Sequence, residues 1–131
     1  VVTLKGDGLF ASAATDVRGR YVDVIQRIAA AMNNVSGQIQ VIGYSDNVPI
    51  RSARFGSNFE LSLARARSVQ SLLQQQLADP SRVKAEGRGE SNPLVPNNSA
   101  ENRARNRRVE ITLLVAPDAT HAELNGLARG N

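Results

Sequence analysis

Two residues of opposite charge, Asp46 and Arg65, combine type and spacing in a way that could hold a small charged ligand. Arg65 lies four residues after Leu61 and four before Val69, beside the apolar stripe of a helical segment. Surface arginines favour the opposite face of such a helix. One reading is an arginine whose stem snorkels along the edge of the core with its head in water. The other is a guanidinium fork near the positive end of the helix, placed to take a carboxylate in a bidentate pair. Asp46 directly follows a strand-like segment, in Gly43-Tyr44-Ser45-Asp46. It reads as an Asx-turn that bonds its own loop backbone, as an internal ion-pair partner of Arg65, or as a carboxylate turned outward to a ligand ammonium. In the last case the two residues form a plus/minus clamp for a zwitterion. The pair by itself does not choose among these readings.

The elements that must position them alternate along the chain. Val1–Leu4 reads as a short strand ended by Gly6-Asp7-Gly8, and Leu9–Ala14 as loop. Tyr21, Val24, Ile25, Ile28, Ala29 and Met32 recur at helical spacing and predict a helix over Gly19–Asn34. Gln38–Gly43 alternates, with Ile39 and Val41 on one face. Tyr44–Ser57 is a long loop, and Ser57-x-x-Glu60 has capping-box spacing. A second helix over Phe59–Leu77 buries Leu61, Val69, Leu72, Leu73 and Leu77, and Asp79-Pro80 stops it. Arg82–Glu86 is a third strand and Gly87–Asn98 a polar loop. Ser99–Asn106 is a short helix, and Arg108–Val115 alternates most regularly of all. Pro117 ends it, so the chain divides into a domain over 1–117 and a tail over 118–131.

The order β-α-β-α-β-α-β implies an α/β domain, a two-layer α+β sandwich with a partly parallel sheet. The second and third strands, joined by a right-handed crossover, lie parallel and run out at the same end. Tyr44–Asn58, the first turns of the second helix and Arg88–Asn102 are therefore expected at one rim. Ligands of open α/β sheets bind at that carboxyl end.

Composition removes other chemistries. A chain of 131 residues is one domain in length. It has no cysteine, hence no thiol nucleophile, thiolate zinc site or disulfide. The single histidine, His121, lies in the tail three residues from Asp118, a poor basis for a hydrolytic triad. Asp and Glu show no metal-loop spacing, so no metal or cofactor is expected, and no two acids are placed to flank a scissile bond. Fourteen arginines against two lysines, at a net charge of +4, suit carboxylate or phosphate partners. Arg103, Arg105, Arg107 and Arg108 read either as a phosphate patch or as a solvated helix face flanked by Glu101 and Glu110. With only two lysines and 4% aromatics, no nucleic-acid partner is expected. No apolar stretch approaches the ~20 residues of a membrane span. The start at Val1, almost directly in a strand, reads as a domain cut from a longer protein.

Four blocks, Val41-Ile-Gly-Tyr-Ser-Asp46, Asn58-Phe-Glu-Leu-Ser-Leu-Ala-Arg65-Ala, Glu86-Gly-Arg-Gly-Glu90 with Asn92-Pro93 and Asn97, and Asn106-Arg-Arg-Val-Glu-Ile111, resemble the OmpA-like peptidoglycan-binding domain over residues 1–115. The loop from Asn47-Val-Pro-Ile50 to Phe55-x-Ser57-Asn58 is similar to the branch found in flagellar stator and type VI secretion proteins. Gly6-Asp-Gly-Leu-Phe-Ala-Ser12 and Glu101–Arg108 are most similar to the C-terminal extensions of the TssL family of type VI secretion inner-membrane proteins.

The resemblance implies a four-stranded mixed sheet with helices packed on one face. It implies a non-catalytic, periplasmic wall anchor of a Gram-negative inner-membrane protein, with peptidoglycan and other type VI secretion envelope subunits as partners. Its membrane contact would be a span preceding Val1. The ligand implied is meso-diaminopimelate, its ammonium on Asp46 and its carboxylate on Arg65, with Asn58 and Leu61 shaping the rim. Arg108 carries over as a further ligand-binding position, and Arg108 and Asn106 also fit a structural role. The family has His-Thr where this chain has Tyr44-Ser45; Ser45 keeps a hydroxyl, and the larger Tyr44 is expected to narrow the site. A stator domain, or an interaction module that has lost wall binding, is the alternative.

Overall fold

The computed structural model describes residues 1–11, 13–50 and 55–114. Val115, the boundary at 117 and the 118–131 tail lie outside the described residues. The elements run β1 (Val2–Lys5), α1 (Gly6–Leu9), α2 (Gly19–Met32), β2 (Gln38–Tyr44), α3 (Asn58–Gln76), β3 (Val83–Gly89), α4 (Ala100–Asn106) and β4 (Arg108–Leu114). A 3₁₀ turn over Pro80–Arg82 precedes β3, and Asp79 caps it by accepting from the Ser81 N–H. The short α1 stands where a strand end and loop are expected. No helix among the described residues is long and apolar enough to cross a membrane.

The sheet is mixed, in the order β1-β4-β2-β3. β2 and β3 are parallel, as their crossover requires, and β4 is antiparallel to both β1 and β2. Three strands therefore end, and one begins, at the same edge: Lys5 and Tyr44 both lie opposite Arg108. The strands alternate as their sequences do. Ile39, Val41, Val83, Val109 and Ile111 face Ile25 and Ala29 of α2 and Ala66, Val69 and Leu73 of α3 in one core. The other face carries the intervening residues, among them Gln40, Glu86, Glu110 and Thr112.

How closely α3 approaches the sheet is set by glycine. Gly43 and Gly87 are register partners. A Cβ on Gly43 would lie 2.2 Å from the Ser62 carbonyl oxygen, and one on Gly87 2.5 Å from the Leu63 nitrogen. The first turns of α3 thus rest directly on strand backbone. The hydroxyl of Ser62 donates to the Phe59 carbonyl at 2.9 Å and accepts from the Gly89 N–H at 3.0 Å. This contact puts Ser62 and Ala66 among the residues α3 buries, whereas Leu72 is only partly buried. Ser57 caps α3 by accepting from the Glu60 N–H, and the Glu60 carboxylate accepts from the Gly56 N–H. The box therefore closes one residue further back than its spacing predicts.

Candidate functional site

At the edge where β1, β2 and β3 end lies a cavity of about 560 Å³. Asp46, Asn58, Leu61 and Arg65 all line it, so the two charges singled out in the sequence share one wall system. Asp46 arrives directly from β2. Arg65 is two turns into α3, on the side that Gly43 and Gly87 draw to the strand ends. Asn58 ties the two elements together: its amide donates to the Val48 carbonyl at 2.9 Å and to that of Asp46 at 3.4 Å. Leu61, 7% exposed, forms apolar wall.

Asp46 is 8% exposed and helps to organise the rim. Its Oδ1 accepts from the Val48 N–H at 3.0 Å, the Asx-turn among the readings of the sequence. Its Oδ2 accepts from Arg107 Nη1 at 2.5 Å. Arg107 also forks onto Asp7, Nε to Oδ1 at 2.8 Å and Nη2 to Oδ2 at 2.9 Å. The ion pair of Asp46 is thus with Arg107 rather than Arg65. The fork from Arg107 holds the Asp7 carboxyl below the usual carboxylate range, and the same bond raises Arg107 above an ordinary arginine.

Arg65 is held without a carboxylate partner among the described residues. Its Nε donates to the Ala14 carbonyl at 2.9 Å and its Nη2 to that of Ala11 at 3.3 Å, and its guanidinium lies over the Phe10 ring, 4.8 Å from the centroid. Nη1 makes no bond among the described residues. Burial lowers the Arg65 pKa from its ordinary value, with the charge of Asp7 opposing the shift. The carbonyls come from a turn closed by Ala14 N–H to Ala11 O at 3.0 Å, with Ala13 in the left-handed region at φ 57°. A non-glycine residue there stores strain of about 1–3 kcal/mol that surrounding contacts must hold.

The OmpA family model matches residues 9–107. The chain belongs to the OmpA family. A relative, motility protein B of Helicobacter pylori strain J99, is 37% identical over 114 residues, 85% of this chain and 44% of that protein. The chain spans less than half the length of that relative. Among solved structures it is similar to the cell wall anchor of the T6SS from Pseudomonas aeruginosa, with 50% identity and a TM-score of 0.80, covering 86% of this chain and 78% of that one. It is also similar to the C-terminal domain of H. pylori MotB, with 28% identity and a TM-score of 0.75, covering 94% and 95%.

Within this OmpA-family fold, several expected positions fall elsewhere. Arg108 does not line the cavity. It is 4% exposed, and its guanidinium is spent on Glu110 at 2.7 Å and on the carbonyls of Asn106 and Asn92, both at 3.1 Å, while stacking 3.7 Å from the Tyr44 centroid. Tyr44 is therefore on the sheet face away from α3 and does not narrow the site; its hydroxyl accepts from Arg88 at 3.2 Å. Asn106, fully buried, holds the 94–97 loop. No residue of Arg88–Asn102 lines the cavity, because that loop leaves β3 at the far edge of the sheet.

The opposite wall is instead the connection from β1 to α2, with Asp7, Phe10 and Arg18. The four-arginine run does not form one patch. Arg107 enters the cavity wall, Arg108 the sheet, and Arg105 stays exposed. Sequence reasoning read Arg107 only as part of the arginine run and Asp7 only as part of a strand end, and placed neither at the rim. The signal that could find them is the strand order: Arg107 precedes β4, the neighbour of β2, and Asp7 follows β1, the next strand beyond it.

Proposed function

We propose that this chain is a non-catalytic peptidoglycan-binding domain that anchors a type VI secretion complex to the cell wall, and that its cavity takes the free zwitterionic end of meso-diaminopimelate. The observation that carries the reading is the shared cavity of Asp46 and Arg65. A carboxylate has about four lone-pair sites. Val48 and Arg107 use two on Asp46, so a ligand ammonium can join without displacing either. Nη1 of Arg65 is the counterpart for the ligand carboxylate. The wall-anchor role is supported by the 50% identity to a T6SS cell wall anchor. A periplasmic setting, in an inner-membrane protein of a Gram-negative bacterium, goes with that role; a periplasmic domain of H. pylori MotB is a similar structure. The stator reading has the MotB similarities in its favour, at lower identity. Tyr44, the larger residue expected to narrow the site, faces away from the cavity and so gives the interaction module without wall binding no support.

Co-sedimentation with purified sacculi tests the proposal. Each charge-assisted contact is worth ~1.5–3 kcal/mol, and removing one partner strands the other at a cost of ~2–5 kcal/mol. Asp46→Ala and Arg65→Ala should each abolish co-sedimentation while circular dichroism stays native. Arg65→Lys should fail as well, for want of the fork. Wild-type sedimentation by both folded alanine variants would refute the clamp.

A further inference from the structure

The cavity wall holds more positive charge than a zwitterion can use. Among its described lining residues, Arg18, Arg65 and Arg107 face Asp7 and Asp46. Arg107 bridges both carboxylates, so those three side chains form one unit with a net charge of −1. Arg65 and Arg18 stand outside it. Neither has a carboxylate partner among the described residues; each donates to backbone carbonyls of the same segment, Arg65 to Ala14 and Ala11, Arg18 to Phe10. An ammonium at the acidic unit and a carboxylate at Arg65 would leave the charge of Arg18 uncompensated.

The place of Arg18 suits an anion. Its backbone N–H is fixed to the Leu9 carbonyl at 2.7 Å, while among the described residues its guanidinium makes only a long bond to Phe10, at 3.5 Å. The residue is anchored and its fork is easily redirected. It also immediately precedes α2, whose first turn has no side-chain cap, so the positive end of that helix adds to the same field. A volume of about 560 Å³ accommodates more than one amino-acid head group.

We infer that the cavity recognises a ligand with one ammonium and two carboxylates, and that Arg18 is the specificity-determining residue that takes the second carboxylate. This rests on the wall-binding reading and sharpens its substrate: an anionic stem-peptide segment rather than an isolated zwitterion. In the stem, the second carboxylate has two sources, the α-carboxylate of the neighbouring glutamate and the chain-terminal carboxylate. Both offer the same chemistry to a guanidinium.

Isothermal titration of the 131-residue chain with N-acetylated Ala-γ-Glu-diaminopimelate separates these sources. Two further peptides carry a carboxamide at one or the other of the two positions. With the wild-type chain, one amidation should weaken binding at least tenfold, which names the source. Arg18→Gln should weaken the unmodified peptide by a similar factor and become indifferent to that amidation. If neither amidation changes wild-type affinity by more than twofold, the second carboxylate is overturned while the diaminopimelate reading stands. If Arg18→Gln keeps the full discrimination, the assignment to Arg18 is overturned. If none of the three peptides binds, the diaminopimelate reading falls, and this inference with it.

Discussion

Replacing Gly43 with alanine should destabilise the domain and disable the cavity together. A Cβ there would meet the Ser62 carbonyl oxygen at 2.2 Å, and the nearest atoms behind it are also backbone. No side-chain rotation relieves such a clash, so the first turn of α3 must lift from the sheet by about 1 Å. Overpacking of this kind costs ~1–3 kcal/mol. Lifting the turn also breaks the Gly89 N–H to Ser62 Oγ bond, now 3.0 Å and buried, and an unmade buried bond costs ~1–3 kcal/mol. The combined loss of about 2–6 kcal/mol is a large part of an ordinary domain's stability. In urea melts, at an m-value of about 1–3 kcal/mol/M, it moves the midpoint by roughly a molar or more. Gly19→Ala is the control: nothing lies within 4 Å of its would-be Cβ, and it should be neutral or slightly stabilising. Because α3 carries Asn58, Leu61 and Arg65, the fraction of Gly43→Ala that stays folded should also sediment poorly with sacculi. A stability within 1 kcal/mol of wild type would refute the argument that bare backbone contact sets the position of α3.

Asn106→Ala should cost about 2–4 kcal/mol in the same urea assay, because it orphans the Leu94 and Val95 N–H groups and the Val95 carbonyl; a loss under 1 kcal/mol would count against that role. Asp7→Asn should reduce stability at pH 7 by less than ~1 kcal/mol, since the pair is partly exposed and screened. The folded-state pKa of Asp7 lies below its unfolded value, so its contribution is present above about pH 4 and is lost as pH falls further through the folded value. Thermal melts of wild type and variant should therefore converge at low pH, and a gap that widened on acidification would contradict the Asp7–Arg107 pair.

The local elements were legible because their causes are local. The 3.6-residue recurrence from Tyr21 to Met32, the Ser57 cap and the alternation after Arg108 each specify an element without reference to the rest of the chain. The parallel pairing of β2 and β3 also followed from chain path, and with it the shared rim of Asp46 and Arg65. The partners of the charged groups were not legible. Asp46 meets Arg107 because β4 inserts between β1 and β2, a pairing across 61 residues that no spacing encodes. Arg107 and Arg108 are neighbours in sequence, and alternation at the start of a strand sends one into the cavity wall and the other beneath Tyr44. The sequence alone determined which residues could form a clamp. Tertiary structure decided which were already committed to one another, because long side chains choose partners by distance and desolvation, and strand order sets both.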